Sequence, residues 1–514
     1  MKKINNHTLG WLLFSTVSLS PSLSAEPLTD AEARGKKVYL TGNSASGKSI
    51  NVTIGADSIT LPGTSLPCIG CHGEDGKGRP EGGIVPTDIT YPYLTLAYGH
   101  SHDNGRKHRA FSDTSIITAI KRGLDPDGNK LDAAMPRYAL SNNDAADLIA
   151  YLKRLANDVD PGVTDTTLRI GTLLPIHGPL AEIGLAMKAV LQAYFDEVNA
   201  QGGIYHRKIQ LEVAEFTGEA ESTMHNVRRL FENDPVFAMI SPFAGNLEQD
   251  ILALSESQGI PQIGPYTLFP ETSSSKSQSA FYLLPGLANE ARAMVDYALD
   301  ALHLKRIKPM VISPENGNLK QVVEAIEQHS LARGLGAVSK LTYMQQQYPA
   351  QTMAVQLQQQ DPELIFFFGS HAEFELLLKS AEGLKTKPTI FISAALTDGA
   401  SSQVFKDKIL MSRPAASGNP ATANAFFRLI QQHNLSSQHL STQALAYCAA
   451  TLLVEGLQRT GRELSRKKLI KNLETLYQFD SGLMPSLSFG PNRHIGSTAV
   501  EIIVVPNDAG TSAK

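Results

Sequence analysis

Reactive side chains are concentrated at Cys68-Ile69-Gly70-Cys71-His72, where two of the chain's three cysteines are followed directly by a histidine. Two thiols at this spacing with an adjoining imidazole can add to the two vinyl groups of a haem and carry the imidazole beneath the iron as proximal ligand. A redox dithiol shares the C-x-x-C spacing but does not require the histidine. A zinc site would want a second ligand pair, which so cysteine-poor a chain does not supply. The spacing therefore points to one haem c, held covalently by Cys68 and Cys71, with His72 as an axial ligand of the iron.

A sixth ligand is expected downstream, and Met135 is the candidate. Pro136 directly after it ends local helix and keeps the loop extended, which suits a thioether presented to iron. A core methionine filling a gap is the alternative reading of Met135. His100, His102 and His108, in AYGHSHDNGRKHRAF, are rival axial ligands. A His/Met pair raises the potential relative to two histidines and leaves no open position for oxygen chemistry, so electron transfer is the expected activity.

These groups need elements to hold them. DAEARGKKVYL reads as a short opening helix, in which Gly35 permits close approach of another helix. Ser141 as N-cap with Asp144 at N3, followed by Ala145, Leu148, Leu152 and Leu155 at helical spacing, predicts a closing helix with one buried face. The order is helix, haem motif, loop, methionine, helix. With GEDGKG, EGGIVPTDIT, AMPRYALS and AYLKRL it resembles the class I c-type cytochromes over residues 26–157. The resemblance implies a small all-α domain that accepts electrons from a periplasmic dehydrogenase, alcohol-oxidising ones included, or exchanges them with another cytochrome.

MKKINNHTLGWLLFSTVSLSPSLSA has two lysines, a short apolar run broken by serines and then small residues, the layout of a secretory signal peptide over residues 1–25. An N-terminal anchor is the other reading, but the run falls short of the ~20 apolar residues that span a bilayer. The expectation is export to the periplasm, where haem attachment takes place in bacteria, with no membrane span after signal cleavage.

ANDVDPGVTDTTL is polar and turn-rich and marks a linker at residues 158–167. Beyond it the rhythm changes. LRIGTLLPI, KIQLEVAEF, VFAMIS and IPQIG read as strands separated by amphipathic helices. The pattern starts over at FYLLP and continues through KPMVIS, ELIFFFGS, PTIFIS and KILMS. Such alternation predicts parallel sheets covered by helices, and about 340 residues suit two α/β lobes. A short tail at 509–514 is read as disordered.

LLPIHGPLAEIGLAMKAVLQAYFDEVNAQGGIYHRKIQLEVAE, VFAMISPFAGNLEQDILALSESQGIPQIGP and SLSFGPNRHIGSTAVEIIVV together resemble the type I periplasmic solute-binding proteins of the branched-chain amino acid and amide group, over residues 168–508. The resemblance implies two lobes closing on a small organic ligand. It places first-lobe contacts at Asn246, Tyr266 and Thr267, and a second-lobe contact at His371. Asn246 also reads as a helix cap, Thr267 as a turn residue and His371 as an exposed cap histidine. Two departures argue against an ordinary α-amino acid ligand. Ala244-Gly245-Asn246 stands where those receptors usually carry hydroxyl residues. Ala394-Ala395-Leu396 stands where they carry an acid for the ligand's ammonium, the nearest acid being Asp398. Cys448, in an apolar helix, reads as a buried small hydrophobe.

With 46 Lys plus Arg against 50 Asp plus Glu and no long basic run, nucleic acid is excluded as a partner. The expected molecule is a multidomain periplasmic protein, an all-α cytochrome c domain followed by a two-lobed α/β receptor. Its expected role is electron transfer tied to ligand sensing beside a dehydrogenase. The alternative is a receptor delivering solute to an ABC permease, with an accessory haem domain. Direct oxidation of a ligand by the haem is disfavoured, because one low-spin haem moves one electron at a time and no base, flavin or quinone site accompanies it.

Overall fold

Thr29 opens the first helix with a capping box: its hydroxyl accepts from the Glu32 amide, and the Glu32 carboxylate accepts from the Thr29 amide at 2.7 Å. This helix, Asp30–Thr41, lies against the closing helix, Asn142–Leu155, whose N-cap Ser141 accepts from the Asp144 amide. Gly35 permits the approach: a Cβ there would stand 2.0 Å from the Asp147 carbonyl oxygen. Beside it the Arg34 guanidinium grips the Asp147 carboxylate through two bonds of 2.8 Å. Val38, Tyr39, Leu148, Tyr151, Leu152 and Leu155 are buried in the seam. The computed structural model describes residues 28–505, apart from 56–57, 81–82, 103, 272–278, 306, 398–404, 406–407 and 416–419. The expected leader, the tail and Asp398 lie outside the described residues.

The chain divides into two units at Val159–Asp160. In the first, a one-turn helix at Cys68–His72 packs on the opening helix, and helices at Tyr91–Leu94 and Asp113–Arg122 pack on the closing one. A small antiparallel sheet joins them, with Asn51–Ile54 between Ile59–Pro62 and Arg137–Tyr138. Strands of two to four residues leave too short a pattern for periodicity to register.

The second unit holds two sheets. The first runs Ala280–Phe281, Gln262–Ile263, Ala238–Ile240, Thr167–Leu174, Lys208–Glu215, all parallel. The second runs Ser339–Tyr343, Pro309–Pro314, Leu364–Phe367, Thr389–Ser393, Ile409–Pro414 and Val500–Val504, parallel except for the last strand. The Ala280–Phe281 strand, read from sequence as the start of the second lobe, instead pairs in the first sheet. The chain then enters the second sheet, returns through helices that pack on the first, and closes with Val500–Val504 on the second. Among those returning helices is Leu440–Thr460, the one described helix long and apolar enough to cross a membrane. Its buried face includes Cys448, which sits in the first-lobe core, where burial pushes the thiol up to about 11.

Candidate functional site

Pro67 lies at the N-cap of the one-turn helix Cys68–His72, and Gly73, at φ +77°, ends it. Two tyrosines from distant elements clamp this turn. Tyr39 of the opening helix donates to the Gly73 carbonyl at 2.6 Å, and Tyr138 donates to the Leu66 carbonyl at 2.6 Å. Both rings are buried, which raises the cost of ionising their hydroxyls and keeps them donors. Cys68 is partly buried against the unit's core, and its thiol is pushed up to about 11 by burial. Cys71 is exposed.

The His72 ring is 7% exposed, and its Nδ1 lies 3.1 Å from the Thr87 carbonyl. A carbonyl only accepts, so Nδ1 carries the proton and Nε2 keeps its lone pair. Burial holds the imidazole neutral. A fixed ring with one nitrogen tied to a carbonyl is how metal-ligating histidines are oriented. Two thiols and this fixed, neutral imidazole within five residues are a donor set that fits a haem c.

Met135 is half-buried and Pro136 fully so. Its loop is closed by Arg137, whose guanidinium donates to the Met135 carbonyl and to those of Leu131 and Asp132 at 3.2 and 3.1 Å. Gly123, at φ +67°, makes room for that guanidinium, since a Cβ there would lie 1.8 Å from Arg137 Nε. Tyr138, three residues past the methionine, ties this loop to the turn that precedes Cys68. The rival histidines are occupied otherwise: His102 Nε2 faces His108 Nε2 at 3.0 Å, and His100 Nε2 is directed to the Leu94 carbonyl at 3.4 Å.

In the second unit, the carboxyl ends of the first sheet carry the expected ligand loops. The crevice falls between Thr167–Leu174 and Ala238–Ile240, where strand order reverses, the position at which open α/β sheets bind ligands. Tyr266 stacks on Phe243 with ring centroids 5.5 Å apart, and Phe243 meets Phe216 edge-on at 5.4 Å. Thr267 donates to the Glu248 carboxylate at 2.6 Å and accepts from the Phe269 amide. Tyr266, Thr267, Pro242 and Glu248 line one small cavity of about 20 Å³, room for a single water. Asn246 is exposed nearby and makes no capping bond, since Leu247 is the N-cap of Glu248–Ser257. His371 is exposed at the start of His371–Ala381, behind the N-cap Ser370, and belongs to the second lobe. A larger cavity, about 180 Å³, lies between Phe269, Pro270, Arg292, Gln321 and Glu324.

Two residues were missed by sequence reasoning. Ser241 directly follows the Ala238–Ile240 strand at φ +43°, a strained region for a side-chain-bearing residue, and its hydroxyl is buried without a partner. Glu248, at the first turn of its helix, is desolvated so strongly that its carboxyl is raised to about 7. An acid at a helix start reads as dipole compensation, which hid it.

A periplasmic binding protein family model matches residues 167–510, two thirds of the sequence. The chain belongs to the periplasmic binding protein family. A cytochrome c family model matches residues 65–156, and the first unit of this binding protein is a cytochrome c domain, which implies haem c. Relatives include the Leu/Ile/Val-binding protein BraC3 of Rhizobium johnstonii, 21% identical over 308 residues that cover 57% of this chain and 80% of that protein. Leu/Ile/Val-binding protein homolog 3 of Brucella melitensis is 20% identical and covers 57% and 79%. Among solved structures, the fatty acid ABC transporter substrate-binding protein from Thermomonospora curvata superposes with a TM-score of 0.54 at 18% identity, covering 68% of this chain and 91% of that one. A periplasmic binding protein type 1 from Bordetella pertussis gives 0.53 at 19%, covering 66% and 97%. These likenesses extend the receptor fold to the second unit.

Proposed function

We propose that this protein is a periplasmic one-haem electron carrier whose receptor domain binds a small organic ligand, and that it serves a periplasmic dehydrogenase. The observation that carries the reading is the His72 imidazole, buried, neutral and oriented by Thr87, one residue after a cysteine pair at haem-attachment spacing. Bound haem supplies one-electron chemistry at iron. The protein's part is to hold and orient. Cys68 and Cys71 would anchor the macrocycle, His72 would offer Nε2, and Met135 would offer its sulfur from a loop that Arg137 and Tyr138 keep closed. Burial of the ring and its carbonyl partner keeps the histidine in the ligating tautomer. With His72 and Met135 both given to the iron, the domain would serve as a carrier rather than an enzyme.

In the receptor domain, Tyr266 and Thr267 are the first-lobe contacts with most support, since they share a cavity with Glu248. Asn246 is a rim contact, His371 reaches from the second lobe, and Ser241 offers its unpartnered hydroxyl. The relatives' names speak of leucine, isoleucine, valine and fatty acids. The shared feature relevant here is an apolar body, which the Phe216, Phe243 and Tyr266 rings would accept. A second reading, delivery of solute to an ABC permease, is favoured by the likeness to transporter substrate-binding proteins.

Attachment is tested by expressing the chain with haem-attachment machinery and staining a denaturing gel for haem. Staining of the wild type and its loss in Cys68→Ala/Cys71→Ala is expected; an unstained wild-type band contradicts the assignment. The dehydrogenase role is tested by mixing the oxidised protein with its host's periplasmic fraction and an alcohol. Haem reduction faster than without alcohol is expected. Equal rates would leave the import reading.

A further inference from the structure

Three imidazoles share one face of a short hairpin, His100–Ser101 paired antiparallel with Lys107–His108. Extended backbone puts residues two apart on the same side, so His100 and His102 face together, and His108 joins them as the register partner of His100. The pairing continues through the His102 amide, which donates to the Arg106 carbonyl at 2.9 Å. The His102 and His108 rings stack with centroids 5.1 Å apart, and their Nε2 atoms face each other at 3.0 Å.

His108 is 5% exposed, and its Nδ1 lies 2.8 Å from the Arg109 carbonyl. That nitrogen therefore carries the ring proton, and Nε2 is left with its lone pair turned toward His102. One nitrogen is fixed by a carbonyl, as in a metal-ligating imidazole, and the other accepts from His102 Nε2, a bond that a metal ion between the two rings would replace. The nearby positive charge of Arg106 is met by Asp125 at 3.0 Å, whose carboxylate is fully buried. The roles proposed above assign no residue of this hairpin.

We propose that His102 and His108 chelate a late divalent transition-metal ion through their Nε2 atoms, at a site distinct from the haem, and that copper(II) is the ion it suits. An ion about 2.0–2.1 Å from both nitrogens, the usual length of an imidazole–metal bond, would see them at about 95°. That is near the right angle of square-planar or tetragonal coordination, and copper(II) leads the affinity order of the divalent series. Among the described residues no three His, Cys, Asp or Glu side chains form a ready metal-holding group. The site is thus a two-imidazole chelate completed by water, with His100 standing alongside, its ring centroid 5.1 Å from that of His108.

The test uses the tag-free, haem-loaded full chain, equilibrated with one equivalent of Cu²⁺, gel-filtered, and examined by metal analysis and copper electron paramagnetic resonance. The expected result is one retained copper per chain with hyperfine splitting from two imidazole nitrogens. His102→Ala and His108→Ala should each weaken copper binding at least tenfold, while His225→Ala, at an exposed position in the other unit, leaves it unchanged. Should an alanine variant fold poorly, as its haem spectrum would reveal, His102→Gln/His108→Gln replaces it. No retained copper in the wild type, a signal with fewer than two nitrogens, or equal retention by a folded double variant would each overturn the proposal and leave a plain histidine–histidine hydrogen bond.

Discussion

Glu248 is placed to respond to pH near neutrality. Its carboxyl is raised from 4.5 to about 7 by burial, with one compensating bond from Thr267. A raised folded-state value means that the folded protein binds the proton more tightly than the unfolded chain. The stabilisation is therefore full below about 4.5 and is lost as pH rises through about 7, on the order of 3 kcal/mol at most. Glu248→Gln, which stays neutral, should flatten the stability profile of the receptor transition between pH 5 and 8 in chemical denaturation. An unchanged slope would mean that the carboxyl is solvated. At this scale the haem motif was legible because all its parts lie within five consecutive residues. Glu248 and Ser241 were not, because desolvation and backbone strain come from neighbours far along the chain.

Among the elements, the crossing of the opening and closing helices does most to place the haem turn, since Tyr39 reaches Gly73 from the first of them. Gly35→Ala would push a methyl group into the Asp147 carbonyl. The overpacking should cost about 3 kcal/mol in the cytochrome domain. Denaturation followed at the Soret band measures this, and a loss under about 0.5 kcal/mol, within the range of an ordinary surface substitution, would contradict the packing argument. These helices were legible because caps and the buried face at Ala145, Leu148, Leu152 and Leu155 are local signals. The Asn51–Ile54 sheet was not, because its strands are too short to show a period. The Ala280–Phe281 strand was legible as a strand but not as a member of the first sheet. Its partner, Gln262–Ile263, is set by the order of strands across the sheet, which no local pattern encodes.

For the whole molecule, the change from helices around a haem motif to alternating strands and helices was plain in the text, and the two family matches fall on either side of that change. The choice of ligand was less accessible. In the proposed reading it would rest on Phe216, Phe243 and Tyr266, whose rings meet from separate stretches of the chain. If haem and receptor are coupled, ligand binding shifts the haem potential, and by linkage the redox state shifts ligand affinity by the same free energy. That coupling presupposes the central claim, that one exported chain carries a His/Met haem. The most direct measurement is the visible spectrum of the full chain from a periplasm with haem-attachment machinery, oxidised and reduced, beside Met135→Ala. A c-type spectrum with a weak near-red band in the oxidised wild type, absent from the variant, is predicted. A band that persists in Met135→Ala, or a wild type without covalent haem, would contradict the account.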